Sequence, residues 1–219
     1  MPCACRTAPL AKTFAQTNGI APQSITGFLL PEEGEALAKA AQDCGTLGPI
    51  VEIGSYCGRS ALYLGPAARQ NGTILYALDH HRGSEENQPG WEWHDPQFWD
   101  EEAGALDTLP TFRRNLHKAG LEDCVTALVG PSTTIARHWT TPLGMVFIDG
   151  GHTMKAALGD YRGWASKILP GGILAIHDVF PNPDDGGRPP FEVYQMALKS
   201  GLFEQICLVH SLALLRRLG

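Results

Sequence analysis

The stretch Pro49-Ile50-Val51-Glu52-Ile53-Gly54-Ser55-Tyr56-Cys57-Gly58-Arg59-Ser60 decides the fold. Its first five residues form a short apolar run interrupted only by Glu52, the length of a buried strand. From Ser60 onward, Ser60-Ala61-Leu62-Tyr63-Leu64 opens an apolar helical pattern. Two glycines lie between, with three residues separating them. Gly54 supplies the backbone freedom that a sharp strand-to-helix turn needs, and Gly58 allows a ligand or the strand to approach the first helical turn closely. A helix begun there points unpaired amides and the positive end of its dipole at whatever lies over the turn.

The spacing narrows the ligand. A P-loop has four residues between its glycines and then Lys-Ser/Thr; here there are three, and Arg59 stands where the lysine would. The dinucleotide fingerprint needs glycines two apart, and Ser55-Tyr56 replaces that pattern. Glu52, one residue inside the strand end, repels a pyrophosphate but suits a ligand that carries an ammonium or a sulfonium. Glu-x-Gly-x-x-x-Gly-x-Ser resembles the first motif of the class I S-adenosylmethionine (SAM)-dependent methyltransferases.

Outward from this turn, strand and helix patterns alternate. A helix over about 31–43 begins with Pro31 and acids, as an N-terminal turn favours. The first strand, 49–53, is followed by a helix over about 58–69. Asn71-Gly72 turns into a second strand, 73–78. After an irregular insert at 80–104 come a helix over 109–119, a strand at 124–128, a short helix from Ser132 and a strand at 144–148. A helix over about 153–168 then leads through Pro170-Gly171-Gly172 into a strand at 173–176. A helix over 191–200 and a closing pair, 203–209 and 212–215, end the chain. This order predicts an α/β fold: one doubly wound, Rossmann-like sheet, mostly parallel, with a C-terminal antiparallel strand pair. Ligands of such sheets bind outside the carboxyl ends of the strands. Residues 1–27 read as an N-terminal arm and 28–219 as a single domain.

The chain has 219 residues, 43% hydrophobic and 18% charged, enough for one domain with a substantial core. A net charge of -6 argues against non-specific nucleic-acid binding. No apolar run reaches a membrane span, and the N-terminus lacks a basic segment followed by an apolar core. Six scattered cysteines read mostly as small buried hydrophobes, which fits a reducing cytoplasm. Cys3-x-Cys5 is a lone pair near the terminus.

Asp79 ends the second strand, 21 residues after Gly58. An acid there can accept both hydroxyls of a ribose; it can also cap a loop. With Glu52 and the glycines it points to an adenosine-containing ligand. Ser132 lies where adenine would sit, and reads equally as a helix N-cap. Phe147-Ile148-Asp149-Gly150-Gly151-His152 and Ala175-Ile176-His177-Asp178 end neighbouring strands at the same rim. Two carboxylates meeting there can bind a hard cation; alternatively each fixes its own loop. The insert carries Trp91, Trp93 and Trp99, and such rings beside Glu and Asn suit a sugar or aromatic acceptor. An oligomer contact or a satellite core is the other reading, and a homodimer stays open.

Asp149-Gly-Gly-His152, with Pro-Gly-Gly-x-x-x-x-His177-Asp178, resembles the family-24 branch of these methyltransferases and is similar to the catechol O-methyltransferases. The resemblance implies a SAM-dependent O-methyltransferase in which a magnesium ion holds the acceptor oxygen and a basic residue, here His152, removes its proton. It implies SAM contacts from Glu52, Gly54, Tyr56, Cys57, Gly58 and Ser60 on the first turn. Further contacts are implied from Asp79, His80, Gln88, Ser132 and Asp149, and metal ligation from Asp149, His177 and Asp178. Catechol enzymes have Lys in place of His152 and Asp-Asn in place of His177-Asp178. Histidine is a poor magnesium ligand, so His177 is either a structural neighbour or part of a site for manganese or another ion that tolerates imidazole. Finally, Asp79-His-His-Arg-Gly-Ser-Glu-Glu with Gln88-Pro-Gly-Trp-Glu resembles a narrower group, mycobacterial 1-O-methyltransferases of 3-O-methylated mannosides. Trp93 stands where that group is expected to have Tyr. The implied partner is a small-molecule or oligosaccharide acceptor.

Overall fold

The computed structural model describes residues 17–219; Cys3 and Cys5 lie outside the described residues. The sheet has seven strands in the order β5-β2-β1-β6-β7-β9-β8. These are β1 (Ile50–Ile53), β2 (Leu75–Asp79), β5 (Val125–Val129), β6 (Leu143–Ile148), β7 (Ile168–Ile176), β8 (Phe203–Val209) and β9 (Leu212–Arg217). The first five pair in parallel, and β9 runs antiparallel to both β7 and β8. The expected mainly parallel sheet and its closing pair are both present. From β1 the chain winds outward through β2 to β5, then returns to β6 on the other side of β1. That reversal is the place where a doubly wound sheet opens a crevice for ligands.

Every residue of β1 and β6 is buried, which explains why these strands read as nearly unbroken apolar runs. Helix α1 (Pro31–Cys44) lays Ala36, Leu37, Ala40, Ala41 and Cys44 into the core. It packs on α2 (Ala61–Gln70), and the approach is close: a Cβ at Gly34 would fall 2.3 Å from the Tyr63 ring. Helices α3 (Leu109–Ala119), α4 (Ser132–His138), α5 (Met154–Trp164) and α6 (Pro189–Lys199) cover the rest of the sheet. Burying each Leu, Ile or Val of this core is worth roughly 1.5–3 kcal/mol.

Two local expectations change. The helix after β6 stops at Trp164, and β7 starts at Ile168, not after the Pro170-Gly171-Gly172 stretch. Pairing with β6 jumps from Leu143↔Ile168 to Met145↔Ile173, so this stretch is an irregularity inside the strand. Gly172 fits because a Cβ there would meet the Gly144 carbonyl at 2.6 Å. The insert is also less irregular than its composition implied. It holds two 3-10 turns, Glu85–Asn87 and Pro96–Phe98, then pairs β3 (Trp99–Asp100) with β4 (Ala105–Leu106). Among the described residues, no helix is long and apolar enough to cross a membrane.

Candidate active site

The parallel strands are in register at their carboxyl ends: Ile53 pairs with both Leu78 and Ile148, and Ile148 with Ile176. The next residues of each strand, Gly54, Asp79, Asp149 and the His177-Asp178 pair, therefore meet at one rim. A cavity of about 860 Å³ opens there, floored by Gly54 to Tyr56, Asp79, Asp149 and Asp178. The insert roofs it with residues 83–87, Trp91 and Trp93, and Thr26 to Leu29 close one side. Arg59 fixes that side: its Nε donates to the Ile25 carbonyl at 2.8 Å and its Nη1 to that of Leu29 at 3.1 Å. The residue standing where a P-loop would have lysine thus braces the end of the presumed arm as a cavity wall. Nothing local in the sequence announces this.

The glycine turn is tightly specified. Gly54 has φ +89, and a Cβ there would lie 1.9 Å from the Asp149 carbonyl, so only glycine lets β1 and β6 finish side by side. Gly58, at φ +92, faces the Phe112 ring and not the cavity. Tyr56 (φ 45), His81 (φ 58) and Asp178 (φ 56) are non-glycine residues in the left-handed region. Tyr56 and Asp178 line the cavity and His81 is buried just past Asp79; such backbone strain tends to accumulate at functional sites.

Glu52 lies fully buried beneath the turn. Burial pushes its carboxyl up to about 7, and Asp149 and Asp79 add to this, against the pull of Ser60 and Ser55. Those serines lie near, yet neither Glu52 oxygen has a hydrogen-bond partner of good geometry. An unpartnered buried acid at this depth is costly on its own, and it fits a cationic ligand over the turn. Asp79 is also engaged. Its Oδ2 accepts the Ser55 and Tyr56 amides at 3.0 and 2.8 Å, and its Oδ1 accepts the His81 amide at 2.7 Å. It pins the turn to β2 as well as facing the cavity.

The remaining sequence-assigned contacts divide. Tyr56, Ser60, His80, Ser132 and Asp149 line the cavity. Cys57 is buried behind the turn, where burial raises its thiol to about 12. Gln88 turns its amide inward, donating to the carbonyls of Arg82, Gly83 and Ser84; it holds the insert together. Ser132 is the first residue of α4 and not its N-cap, which is Pro131. Its hydroxyl accepts the Trp164 indole N–H at 2.8 Å.

The chemistry-bearing groups cluster at the tips of β6 and β7. Asp149, His152 and Asp178 each offer one ligand atom within 4.8 Å of the others. The cap of α5 is Thr153, whose side chain accepts the Ala156 amide, so neither Asp149 nor His152 is needed for capping. Nε2 of His152 lies 2.8 Å from Asp178 Oδ2, and its Nδ1 lies 2.8 Å from Glu86 Oε1. Burial opposes charge on this ring, but the hydrogen bonds to Asp178 and Glu86 and their charges overcome it and raise His152 to about 10. With both carboxylates free to face it, the imidazole is held protonated, the opposite of the state in which the base implied by the resemblance would act. Asp178 is correspondingly held far below the usual carboxylate range: burial opposes this, and His152 and His177 outweigh it.

His177 is placed differently from the sequence assignment. It is buried, with Nε2 at 3.0 Å from Glu33 Oε2 and Nδ1 at 3.0 Å from Asp149 Oδ1. Burial opposes its charge, but Asp149 first, then Asp178 and Glu33, hold it well above the ordinary histidine value. Buried and engaged by carboxylates at both nitrogens, His177 stands behind Asp149, and the histidine that shares the rim with Asp149 and Asp178 is His152. The two carboxylates, Asp149 and Asp178, suit a divalent cation, and the His152 ring stands beside them.

Residues 51–179, more than half of the chain, match the model of a family described as a methyltransferase domain, family 24. The chain belongs to that methyltransferase family. Solved structures share its fold at low identity. The O-methyltransferase NovP superposes with a TM-score of 0.66 at 16% identity, over 85% of this chain and 79% of that one. The O-methyltransferase TomG from Streptomyces achromogenes, in complex with SAM, gives 0.60 at 17% identity, over 97% and 92%. An O-methyltransferase from Bacillus cereus in complex with SAH gives 0.61 at 15% identity, over 96% and 90%.

The mouth of the cavity is aromatic. Trp91 and Trp93 are 55% and 50% exposed, too open for a satellite core. Phe28 meets Trp93 edge-on at 5.3 Å and stacks with Tyr56 at 6.0 Å. The wall thus draws on the segment before α1, on the glycine turn and on the insert.

Proposed function

We propose that this methyltransferase is a SAM-dependent O-methyltransferase that uses a divalent cation and methylates a sugar hydroxyl, with the 1-hydroxyl of a 3-O-methylmannoside as the candidate. The observation that carries the reading is that the glycine turn Gly54 to Tyr56, Asp79 and the Asp149–His152–Asp178 cluster line one cavity, with the unpartnered Glu52 buried beneath the turn. When bound, SAM supplies an electrophilic methyl group, and magnesium or manganese held by Asp149 and Asp178 would favour the developing alkoxide. The chain itself orients the cofactor over the turn, excludes water with the insert and provides His152 to take the hydroxyl proton. The insert sequence from Asp79 to Trp91, which resembles mannoside 1-O-methyltransferases, supports the sugar. The exposed tryptophan faces suit the apolar faces of a pyranose.

The same aromatic mouth also suits a planar phenol, which gives a second reading. The deciding experiment offers purified protein labelled SAM with 3-O-methylmannose, mannose and catechol, and follows the label by mass spectrometry. Label on the 3-O-methylated sugar supports the proposal. Label on catechol alone supports the phenolic reading, and SAM binding without transfer to any hydroxyl makes the chain a binding module.

Two expected outcomes follow from the site. Asp79→Ala loses the ribose acceptor, a charge-assisted interaction worth roughly 1.5–3 kcal/mol, and also frees the turn amides of Ser55 and Tyr56, so calorimetry should show SAM affinity falling by at least about tenfold. Unchanged affinity would remove Asp79 from the cofactor site. Trp91→Ala and Trp93→Ala should raise the acceptor KM and spare SAM binding, because both rings lie on the insert side of the cavity. A loss of thermal stability with normal kinetics would assign them to packing.

A further inference from the structure

We propose that Asp160 reads the adenine of the cofactor by accepting a hydrogen bond from its exocyclic amine. This rests on the cofactor reading above and concerns a residue that lies neither on the glycine turn nor at a strand tip. Asp160 belongs to the buried face of α5, where its neighbours at helical spacing are Ala157 and Trp164. It is 5% exposed, yet it lines the cavity. An acid at that depth needs donors. The Ser132 hydroxyl lies against it and favours its ionised form. That hydroxyl accepts the Trp164 indole N–H at 2.8 Å, so its one proton is free for Asp160. Trp164, Ser132 and Asp160 thus form a short polar chain that ends in a carboxylate at the cavity. Among the described residues, no backbone amide, lysine or arginine donates to that carboxylate.

The position suits the base of an adenosine. Asp79 pairs in register with Val129, and the Gly130 amide donates to the Asp79 carbonyl at 3.1 Å. The loop Gly130 to Thr133 therefore starts beside the acid assigned to the ribose. With the sulfonium end over the glycine turn and the ribose hydroxyls on Asp79, the base is carried past β2 to this loop. Gly130 to Thr133 and Gly150-Gly151 both line the cavity, and Asp160 stands between them. Ser132 belongs to the first, and a Cβ at Gly150 in the second would fall 3.0 Å from Asp160 Oδ2. Gly159 and Gly163 bring α5 close to α4: a Cβ at either would lie 2.9 Å from Thr133 Cγ2 or Ala136 Cβ. The carboxylate is thus held by the packing of two helices. Adenine offers an amine to such a group. A carboxylate only accepts, so the carbonyl of a deaminated base would meet it lone pair to lone pair. A buried acceptor built for a donor strongly rejects the ligand that lacks it.

The test is calorimetry on the full chain with S-adenosylhomocysteine (SAH) and with its deaminated counterpart, S-inosylhomocysteine. The wild type should bind SAH more tightly by about tenfold to a hundredfold. Asp160→Asn keeps the shape, and its amide N–H can face the carbonyl of the deaminated base. The preference should therefore shrink by at least about tenfold, through weaker binding of SAH and stronger binding of the analogue. Gly150→Ala crowds the same carboxylate without altering it and should narrow the preference as well. A wild type that binds both ligands alike overturns the proposal. So does a folded Asp160→Asn protein that keeps the wild-type preference and only melts earlier, which would make Asp160 a clamp between α4 and α5. Failure of the wild type to bind either ligand sinks the cofactor reading itself, and the role of Asp160 with it.

Discussion

Replacing His152 by alanine should lower turnover by at least about 100-fold, the lower bound of general-base catalysis, and leave SAM affinity intact. A sugar hydroxyl is too weak an acid to react with a sulfonium methyl unless its proton leaves as the bond forms. His152 is the group at the rim with an imidazole nitrogen 2.8 Å from Asp178. As it stands between Asp178 and Glu86, its pKa lies near 10, so at pH 7 it holds the proton a base must lack. The causes of that shift identify the remedy. Of the groups raising it, the hydrogen bond to Asp178 is the largest, and Asp178 is also a candidate cation ligand. A divalent cation there competes for the carboxylate and repels an imidazolium; both effects favour the neutral ring. Chelator should therefore abolish activity, and magnesium or manganese should restore it. Full activity after exhaustive chelation would take the cation out of the reaction. Near-normal turnover of His152→Ala would leave proximity as the main catalytic device.

The fold was legible because its signals are local. Gly54 and Gly58 mark the turn within one short stretch, the strands read as apolar runs because the central ones are buried on both faces, and Asp79, Asp149 and Asp178 each end their run. The position of the site followed from topology, since parallel strands in register bring their tips to one rim. The partners of the side chains were not legible. His177 meets Glu33 across 144 positions of sequence, and Arg59 reaches back 34 positions to Ile25. Neither contact has periodicity or spacing to betray it. His177-Asp178 illustrates the consequence: the resemblance implied two ligands, whereas His177 is buried between Asp149 and Glu33, and Asp178, in the left-handed region just past β7, faces the cavity. Glu86 was hidden for another reason. The insert has no regular pattern, and its order comes from the Ser84–Asn87 and Gln88 hydrogen bonds, which composition alone does not specify.

Glu33→Ala should destabilise the protein by about 3–5 kcal/mol, a fall in melting temperature on the order of 10 °C for a chain of this size. Glu33 sits in the first turn of α1, 1% exposed, and its partner His177 is 4% exposed. One carboxylate oxygen accepts the Ser211 amide and hydroxyl at 2.9 and 2.8 Å; the other accepts the Leu30 amide at 2.9 Å and faces His177. Truncation leaves a buried imidazolium short of a partner and strands three donors, which costs more than the net worth of the pair. Burial opposes the charge on Glu33, but His177 and the Leu30 and Ser211 amides hold its pKa below the ordinary 4.5, while His177 is held above the ordinary 6.5. The Glu33 contribution is thus complete above the unfolded carboxylate value and lost as pH falls through the folded one. The His177 contribution is complete below the unfolded imidazole value and declines as pH rises toward the folded one. The stability gap between wild type and Glu33→Ala should be widest near pH 5–6 and narrow as pH is raised into the alkaline range, as thermal melts across that range would show. A gap that stays constant with pH would mean that Glu33 acts through packing and capping of α1, not through its charge on His177.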